Sequence, residues 1–247
     1  LDFNLDGIDD LAIGAPGASG WSISVPSASP YPFSGEPTFH QYGKVYIFLG
    51  ARGLPLSEAR RIVLTTKETF TGLGTHLTSG DIDLDDQPDL ILGCPSAEDY
   101  NGRVYGLVSS TSRKANLTLD VDTPGVAHLR ISGSGDGSAG WFGASATTVR
   151  TPAGAHLLVG APYKRENSSC TRDCSLPGRV YGFLLSKAPS TVPPLLRNTT
   201  AARFIIIGSS PLGLLGATMA TSRWDNTTCT SCTSRKDSKL DHVAIGV

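Results

Sequence analysis

Oxygen-bearing side chains fall on alternate positions at the start of the chain. Asp2, Asn4, Asp6 and Asp10 stand in Asp2-Phe3-Asn4-Leu5-Asp6-Gly7-Ile8-Asp9-Asp10, and a short apolar run, Leu11-Ala12-Ile13-Gly14-Ala15-Pro16, follows at once. Calcium takes six to eight oxygen ligands, and a tight loop with a glycine turn can aim alternate residues at one centre. Ile8 would add its backbone carbonyl. The first half of the segment matches an EF-hand loop, but the twelfth position, which an EF-hand gives to a bidentate glutamate, is Ile13. The spacing therefore predicts a nine-residue calcium loop that runs into a strand, not a helix-loop-helix. Asp81, Asp83, Asp85 and Asp89 repeat the pattern, with the Gln87 carbonyl between the last two and Leu90-Ile91-Leu92-Gly93-Cys94-Pro95 behind them. Asp86 takes the place of the turn glycine, which aspartate tolerates because it enters the left-handed region more readily than most residues. Aspartate-rich turns also form without metal, through local hydrogen bonds. Four such oxygens within nine residues repel one another unless a cation neutralises them, and two copies at the same place before a strand favour the ion.

The elements that must carry these loops repeat as well. A third copy, His156-Leu157-Leu158-Val159-Gly160-Ala161-Pro162, keeps the strand and loses the cage; a fourth, Asp241 to Val247, is cut short. Gly43-Lys44-Val45-Tyr46, Gly102-Arg103-Val104-Tyr105 and Gly178-Arg179-Val180-Tyr181 each follow a Gly-x-Pro strand, and Leu73-Gly74, Phe142-Gly143 and Leu215-Gly216 each precede one. The period is roughly 60 to 80 residues, with about four short strands per unit, the size of one propeller blade. The fold class is all-β, a partial β-propeller, in units 1–66, 67–135, 136–208 and 209–247, the first and last incomplete. Gly-x-Pro ends read as structural, since glycine admits a neighbouring backbone and proline stops ladder pairing. The Val-Tyr tyrosines read as blade-packing aromatics. The Ser-, Pro- and Gly-rich stretch from Gly17 to Tyr42, which contains Trp21 and Tyr31, reads as a loop that decorates one face.

Composition narrows the function. The chain has 247 residues, 28 Gly, 16 Pro, one Met and a net charge of −1. Turn residues punctuate short apolar runs, and no run has a helical period. The basic pairs Arg60-Arg61, Lys164-Arg165 and Arg235-Lys236 are scattered, so no nucleic-acid surface is expected. No apolar run approaches the roughly 18 residues of a membrane span; the longest, Phe204-Ile205-Ile206-Ile207, predicts a buried strand. Asn116, Asn167, Asn198 and Asn226 each head an Asn-x-Ser/Thr sequon outside the strand cores, which suits a secreted, extracellular glycoprotein. Cys170 and Cys174 share one polar insertion, and Cys229 and Cys232 share another. In an oxidising compartment these would be local disulfides; one four-thiolate zinc site is the alternative. Cys94 reads as a small buried thiol. The five histidines, His40, His76, His128, His156 and His242, are dispersed, with no His-Glu-x-x-His and no Gly-x-Ser-x-Gly, so no catalytic residue is expected in this chain. It opens inside a calcium motif, stops inside a strand and lacks an initiator Met, so a larger parent is expected.

The ordered set of x-Gly turn, Asp-x-Asp/Asn-x-Asp-Gly cage, Gly-Ala-Pro strand end and Gly-x-Val-Tyr strand resembles the FG-GAP repeats of integrin α-like propellers. That resemblance implies a seven-bladed wheel with calcium in hairpin loops, of which this chain would hold about three blades. Asp2 to Pro16, the Trp141-Phe142-Gly143 turn, Leu157 to Pro162 without a cage, and Gly178-Arg179-Val180-Tyr181-Gly182-Phe183 bring it nearest the C-terminal propeller of the glycosylphosphatidylinositol-specific phospholipase D family. This implies a secreted hydrolase that cleaves the inositol-phosphate link of glycolipid anchors, with zinc in a helical catalytic domain that this chain lacks. Calcium would be the structural ion here. The implied partners are the N-terminal catalytic domain and the remaining blades, and a membrane or lipoprotein surface or a protein ligand. An integrin-like adhesion propeller that binds a protein partner is the alternative.

Overall fold

The computed structural model describes residues 1–23, 37–134, 140–164, 176–187, 195–210, 212–223 and 241–246. Its strands are β1 (Leu11–Ala15), β2 (Ser19–Ile23), β3 (Pro37–Gln41), β4 (Lys44–Phe48), β5 (Arg61–Thr65), β6 (His76–Gly80), β7 (Asp89–Cys94), β8 (Arg103–Leu107), β9 (Leu117–Asp120), β10 (Leu129–Ser132), β11 (Ser145–Thr151), β12 (Gly154–Ala161), β13 (Arg179–Leu184), β14 (Leu195–Asn198), β15 (Phe204–Ile207), β16 (Thr218–Arg223) and β17 (Asp241–Gly246). They form sheets in the orders β1-β4-β5-β9, β14-β10-β8-β7-β6 and β11-β12-β13-β15, with the pairs β16-β17 and β2-β3. Among the described residues no barrel closes, and the architecture is that of partial propeller blades.

Side-chain pattern explains which strand lies where. In β4 and β5 alternate residues are buried, as expected for strands with one covered face. All of β7 and the last six residues of β12 are buried, matching the continuous apolar runs of strands packed on both sides. The core lies between successive sheets. One cluster joins Val45, Ile47 and Ile62 to Leu90, Leu92 and Tyr105. The next joins Ile91, Val104 and Ile131 to Leu157, Val159 and Phe183, and a third carries Val149 and Val180 against Met219 and Ile245.

The recurrent glycines meet where blades touch. A Cβ on Gly14 would lie 2.0 Å from the Gly74 carbonyl oxygen; on Gly93, 2.0 Å from that of Gly143; on Gly160, 2.1 Å from that of Gly216. Each Gly-x-Pro strand end is thus pressed onto the x-Gly turn of the next blade. The same turns bridge Gly43 to Leu73, Gly102 to Phe142 and Gly178 to Leu215. Three motifs spaced far apart in sequence converge on one backbone contact, repeated three times.

Four local findings depart from or extend the expectations. First, β9 lies in the second repeat but pairs in parallel with β5, and β14 lies in the third but pairs in parallel with β10. Each of these two sheets is finished by a strand from the following repeat, so the unit boundaries do not coincide with the sheets. Second, Phe204–Ile207 is not a buried strand. All four residues of β15 are exposed, Ile207 by 55%. It pairs on one side with β13, and among the described residues no parallel strand covers its other edge. Third, the long insertion after Gly17 begins and ends as an antiparallel hairpin, β2 with β3; its Ser, Pro and Gly content hid the pairing. Fourth, α1 (Ala97–Tyr100) is one turn wound left-handed, with φ of 53° at Glu98, 54° at Asp99 and 65° at Tyr100.

Candidate metal centres

Both predicted loops have the same backbone path. Leu5 and Gly7 in the first, and Leu84 and Asp86 in the second, have positive φ (55°, 82°, 65° and 68°). Asp86 does occupy the left-handed turn predicted for it. The positive φ of the two leucines had no sequence signal. Phe3 and Ile82 plug each loop into the core, at 0% and 6% exposure.

In the second loop Asp81, Asp83 and Asp89 present carboxylate oxygens that all lie within 4.8 Å of one another. Asp81 Oδ1 accepts from the amides of Leu84 (2.7 Å) and Asp85 (3.2 Å), and its Oδ2 accepts from Asp86 N (3.1 Å). Asp89 is fully buried and accepts from Ile82 N and Ser109 N, both at 2.9 Å. Burial, with Asp83 and Asp85 adding repulsion, pushes its carboxyl up to about 7 against the pull of those two amides. Burial and the charges of Asp85 and Asp81 also raise Asp83. Asp83 Oδ1 is buried with no hydrogen-bond partner. A buried carboxylate oxygen left without a donor is costly, and a hard cation is the ligand that fits a set of oxygens facing one another. Asp85 and Gln87 sit on the exposed side of the loop, where Asp85 Oδ1 accepts from Gln87 N at 2.8 Å.

The first loop repeats most of these bonds at equivalent positions, the Leu84 amide's bond to Asp81 excepted. Asp2 accepts from Asp6 N (3.0 Å) and Gly7 N (2.8 Å), and Asp6 Oδ1 accepts from Ile8 N (3.0 Å). Asp10 accepts from Phe3 N and Gly50 N, each at 2.8 Å, as Asp89 does from Ile82 and Ser109. Burial raises the Asp10 carboxyl. Asn4 stands where the second loop has Asp83; its Oδ1 accepts from Asp6 N (3.3 Å) and its Nδ2 donates to Asp6 Oδ2 (2.9 Å).

The third blade has inverted the chemistry. Asp89 pairs with Gly80 and His156 pairs with Val149 at matching ends of their hairpins. His156 therefore occupies the position of Asp89, and Arg150 that of Asp81. The hairpin turn is short, with Thr151 Oγ1 donating to Gly154 O (3.0 Å). Arg150 Nη2 instead reaches the preceding blade and donates to Asp81 Oδ2 and Asp86 Oδ1, both at 2.8 Å. Only the lost cage was legible in the sequence; the cross-blade arginine was not.

A second polar centre had no sequence signal. The Arg103 side chain, 4% exposed, donates to Glu98 Oε1 through Nε (3.1 Å), to Glu68 Oε2 (2.7 Å) and to the Tyr105 hydroxyl (2.8 Å). Tyr105 donates to Asp122 Oδ1 at 2.7 Å. Burial raises the Glu98 and Asp122 carboxyls, but the hydrogen bonds from Ser132 and Arg103, and from Tyr105 and Thr66, together with the arginine charges, hold both below the usual range. This is a satisfied structural hub.

The remaining predicted positions divide by location. Asn116 is exposed with φ 64°, and Asn198 Oδ1 accepts from Thr200 N at 3.1 Å. Asn167, Asn226, Cys170, Cys174, Cys229 and Cys232 lie outside the described residues. Cys94 is buried and unbridged, its thiol raised by burial.

No family model matches the chain. It is 29% identical over 229 residues to phosphatidylinositol-glycan-specific phospholipase D of Bos taurus, 31% over 234 to that of Rattus norvegicus and 30% over 233 to that of Homo sapiens. Each match takes in 89% of this chain and 23% of the relative, so the chain spans about a quarter of the length of these proteins. It is also 31% identical over 121 residues to integrin alpha-8 of Mus musculus, across 45% of this chain and 10% of that one. Together these similarities fit an FG-GAP propeller-like region.

Proposed function

Starting from a chain homologous over 89% of its length to one segment of the phosphatidylinositol-glycan-specific phospholipases D, we propose that it is the non-catalytic, calcium-stabilised propeller part of a secreted hydrolase of that type. The parent would cleave the inositol-phosphate bond of glycosylphosphatidylinositol anchors, with zinc held in a separate catalytic domain. The propeller would support or orient that domain, or dock on a membrane or lipoprotein surface. The extent of the homology carries this reading. Two of the histidines fit a structural role: the His76 ring contacts the Ala146 carbonyl (3.0 Å) and the His156 ring that of Gly154 (3.0 Å).

Calcium would bind in the two cages. Asp81, Asp83, Asp85, Asp89 and the Gln87 carbonyl would hold one ion; Asp2, Asn4, Asp6, Asp10 and the Ile8 carbonyl would hold the other. The ion supplies charge neutralisation and oxygen coordination, which fixes the hairpin. The buried, unpartnered Asp83 Oδ1 supports this assignment. Extracellular modules of this class bind in the range of about 10⁻⁴ to 10⁻³ M.

The test is to incubate the intact protein with a glycosylphosphatidylinositol-anchored reporter on vesicles. Release of the reporter, with phosphatidic acid left in the bilayer, is expected. No release by zinc-loaded protein would sink the hydrolase reading. The partial match to integrin alpha-8 supports the second reading, an adhesion propeller that binds a protein partner; that reading predicts an intact protein inert in this assay.

A further inference from the structure

Four aromatic rings stand in solvent at the end of the strands remote from the cage loops. Phe70 lies on the turn from β5 to β6, Tyr100 on that from β7 to β8, Trp141 on that from β10 to β11, and Tyr163 just after β12. They are exposed by 53%, 52%, 39% and 39%. The Tyr100 and Trp141 rings are nearly parallel, at 18° with centroids 6.2 Å apart, and Tyr163 closes on Trp141 at 4.7 Å. Phe70 and Tyr100 line a hollow of about 390 Å³ together with Ser96, Glu98 and Asp99.

The backbone under these rings is unusual. Phe70, Tyr100 and Trp141 have φ of 58°, 65° and 56°. Trp141 precedes the Phe142 that bridges Gly102, as Gly72 precedes the Leu73 that bridges Gly43, and Gly72 has φ 65°. Tryptophan thus occupies a turn position that glycine fills without strain in the preceding blade. Tyr100 ends a run of three left-handed non-glycine residues. Strained backbone of this kind concentrates at functional sites, and rings left in solvent return little burial energy for it.

The surroundings say what the rings would meet. The hollow is rimmed by oxygens: Asp99 is exposed and makes no side-chain hydrogen bond among the described residues, and Ser96 lines the same hollow. A hydrocarbon chain or dry protein face laid on the rings would strip water from these groups without replacing its hydrogen bonds. A sugar ring offers C–H faces to stack on aromatic rings and hydroxyls to donate to the carboxylate. We propose that Phe70, Tyr100 and Trp141 form a saccharide-binding platform, with Asp99 and Ser96 meeting the sugar hydroxyls. This does not rest on the hydrolase reading.

The test is calorimetric titration of the intact protein with cellotetraose, maltotetraose, mannotetraose and chitotetraose, alongside Trp141→Gly and Tyr100→Asn. Both substitutions suit a left-handed backbone, so thermal midpoints no lower than the parent's are expected. At least one tetrasaccharide should bind with a dissociation constant near or below about 1 mM, and each variant should weaken it about tenfold. Affinity unchanged in both folded variants would overturn the proposal, as would no binding by any of the four sugars at about 10 mM. Trp141-dependent binding to phosphatidylcholine vesicles with no sugar bound would mark the rings as a membrane wedge instead.

Discussion

Asp89 is buried in a cage of like charge, and that placement has a pH signature. Its carboxyl is raised to about 7 in the metal-free fold, whereas an aspartate in the unfolded chain titrates near about 3.9. The folded state therefore binds more protons than the unfolded state between those values, and metal-free stability should fall as pH rises from about 4 to about 7. A bound cation favours the ionised form and removes that slope. His76 and His128 are held below the usual imidazole range by burial; they act in the opposite sense but equally with and without metal. The expected outcome is that thermal midpoints in calcium and in chelator diverge steadily across this interval. Parallel curves would refute a cation at Asp89. At this scale the sequence was highly informative about oxygens and poor about backbone. Asp, Asn and Gly advertise a cage by type and spacing, and the bonds of Asp2 and Asp81 follow that pattern. Nothing in a leucine announces the positive φ of Leu5 and Leu84, because tertiary closure of the loop imposes it.

Between elements, stability rests on contacts that leave no room for change. Gly93→Ala would set a methyl group 2.0 Å from the Gly143 carbonyl oxygen, and both sides of that clash are backbone. A loss of about 3 kcal/mol or more is expected in denaturant unfolding, whereas Gly53→Ala, with nothing within 4 Å of its Cβ, should cost only its φ of 68°. Arg103→Met should cost about 3 to 5 kcal/mol, because Glu68, Glu98 and Asp122 would keep their charges without the guanidinium. Arg103→Lys should recover only part of this, since an ammonium cannot span Glu68 and Glu98 as the fork does. Repeated Gly-x-Pro and x-Gly signatures revealed the blades because every copy obeys the same close approach. The Arg103 hub was hidden because its partners come from Glu68, Glu98 and Asp122, which share no motif. Phe204–Ile207 misled for a related reason: an apolar run reports that a strand wants cover, not that a neighbour supplies it.

For the whole molecule, calcium should act as a stabiliser whose effect sums over the two cages, which share no liganding residue. With the ion at about 100 times its dissociation constant, each site contributes about 2.7 kcal/mol, so chelation should lower the thermal midpoint by several degrees per cage. Asp83→Ala should reproduce one share of that fall and Asp6→Ala the other; a midpoint indifferent to chelator would remove the structural role of the ion. The overall wheel-like plan was legible from periodicity. The exchange of β9 and β14 was not, because Leu117–Asp120 and Leu195–Asn198 look like ordinary loop-borne strands until their parallel partners are known. That exchange also gives biosynthesis a direction. When Thr65 leaves the ribosome the first sheet still has an open flank, and Leu117 must emerge before it can be shut. The second sheet likewise waits for Leu195. Each of these two nascent sheets thus stays unfinished until the following repeat is largely translated, so a product stalled or truncated in that interval presents a raw, adhesive margin to the cell's quality control.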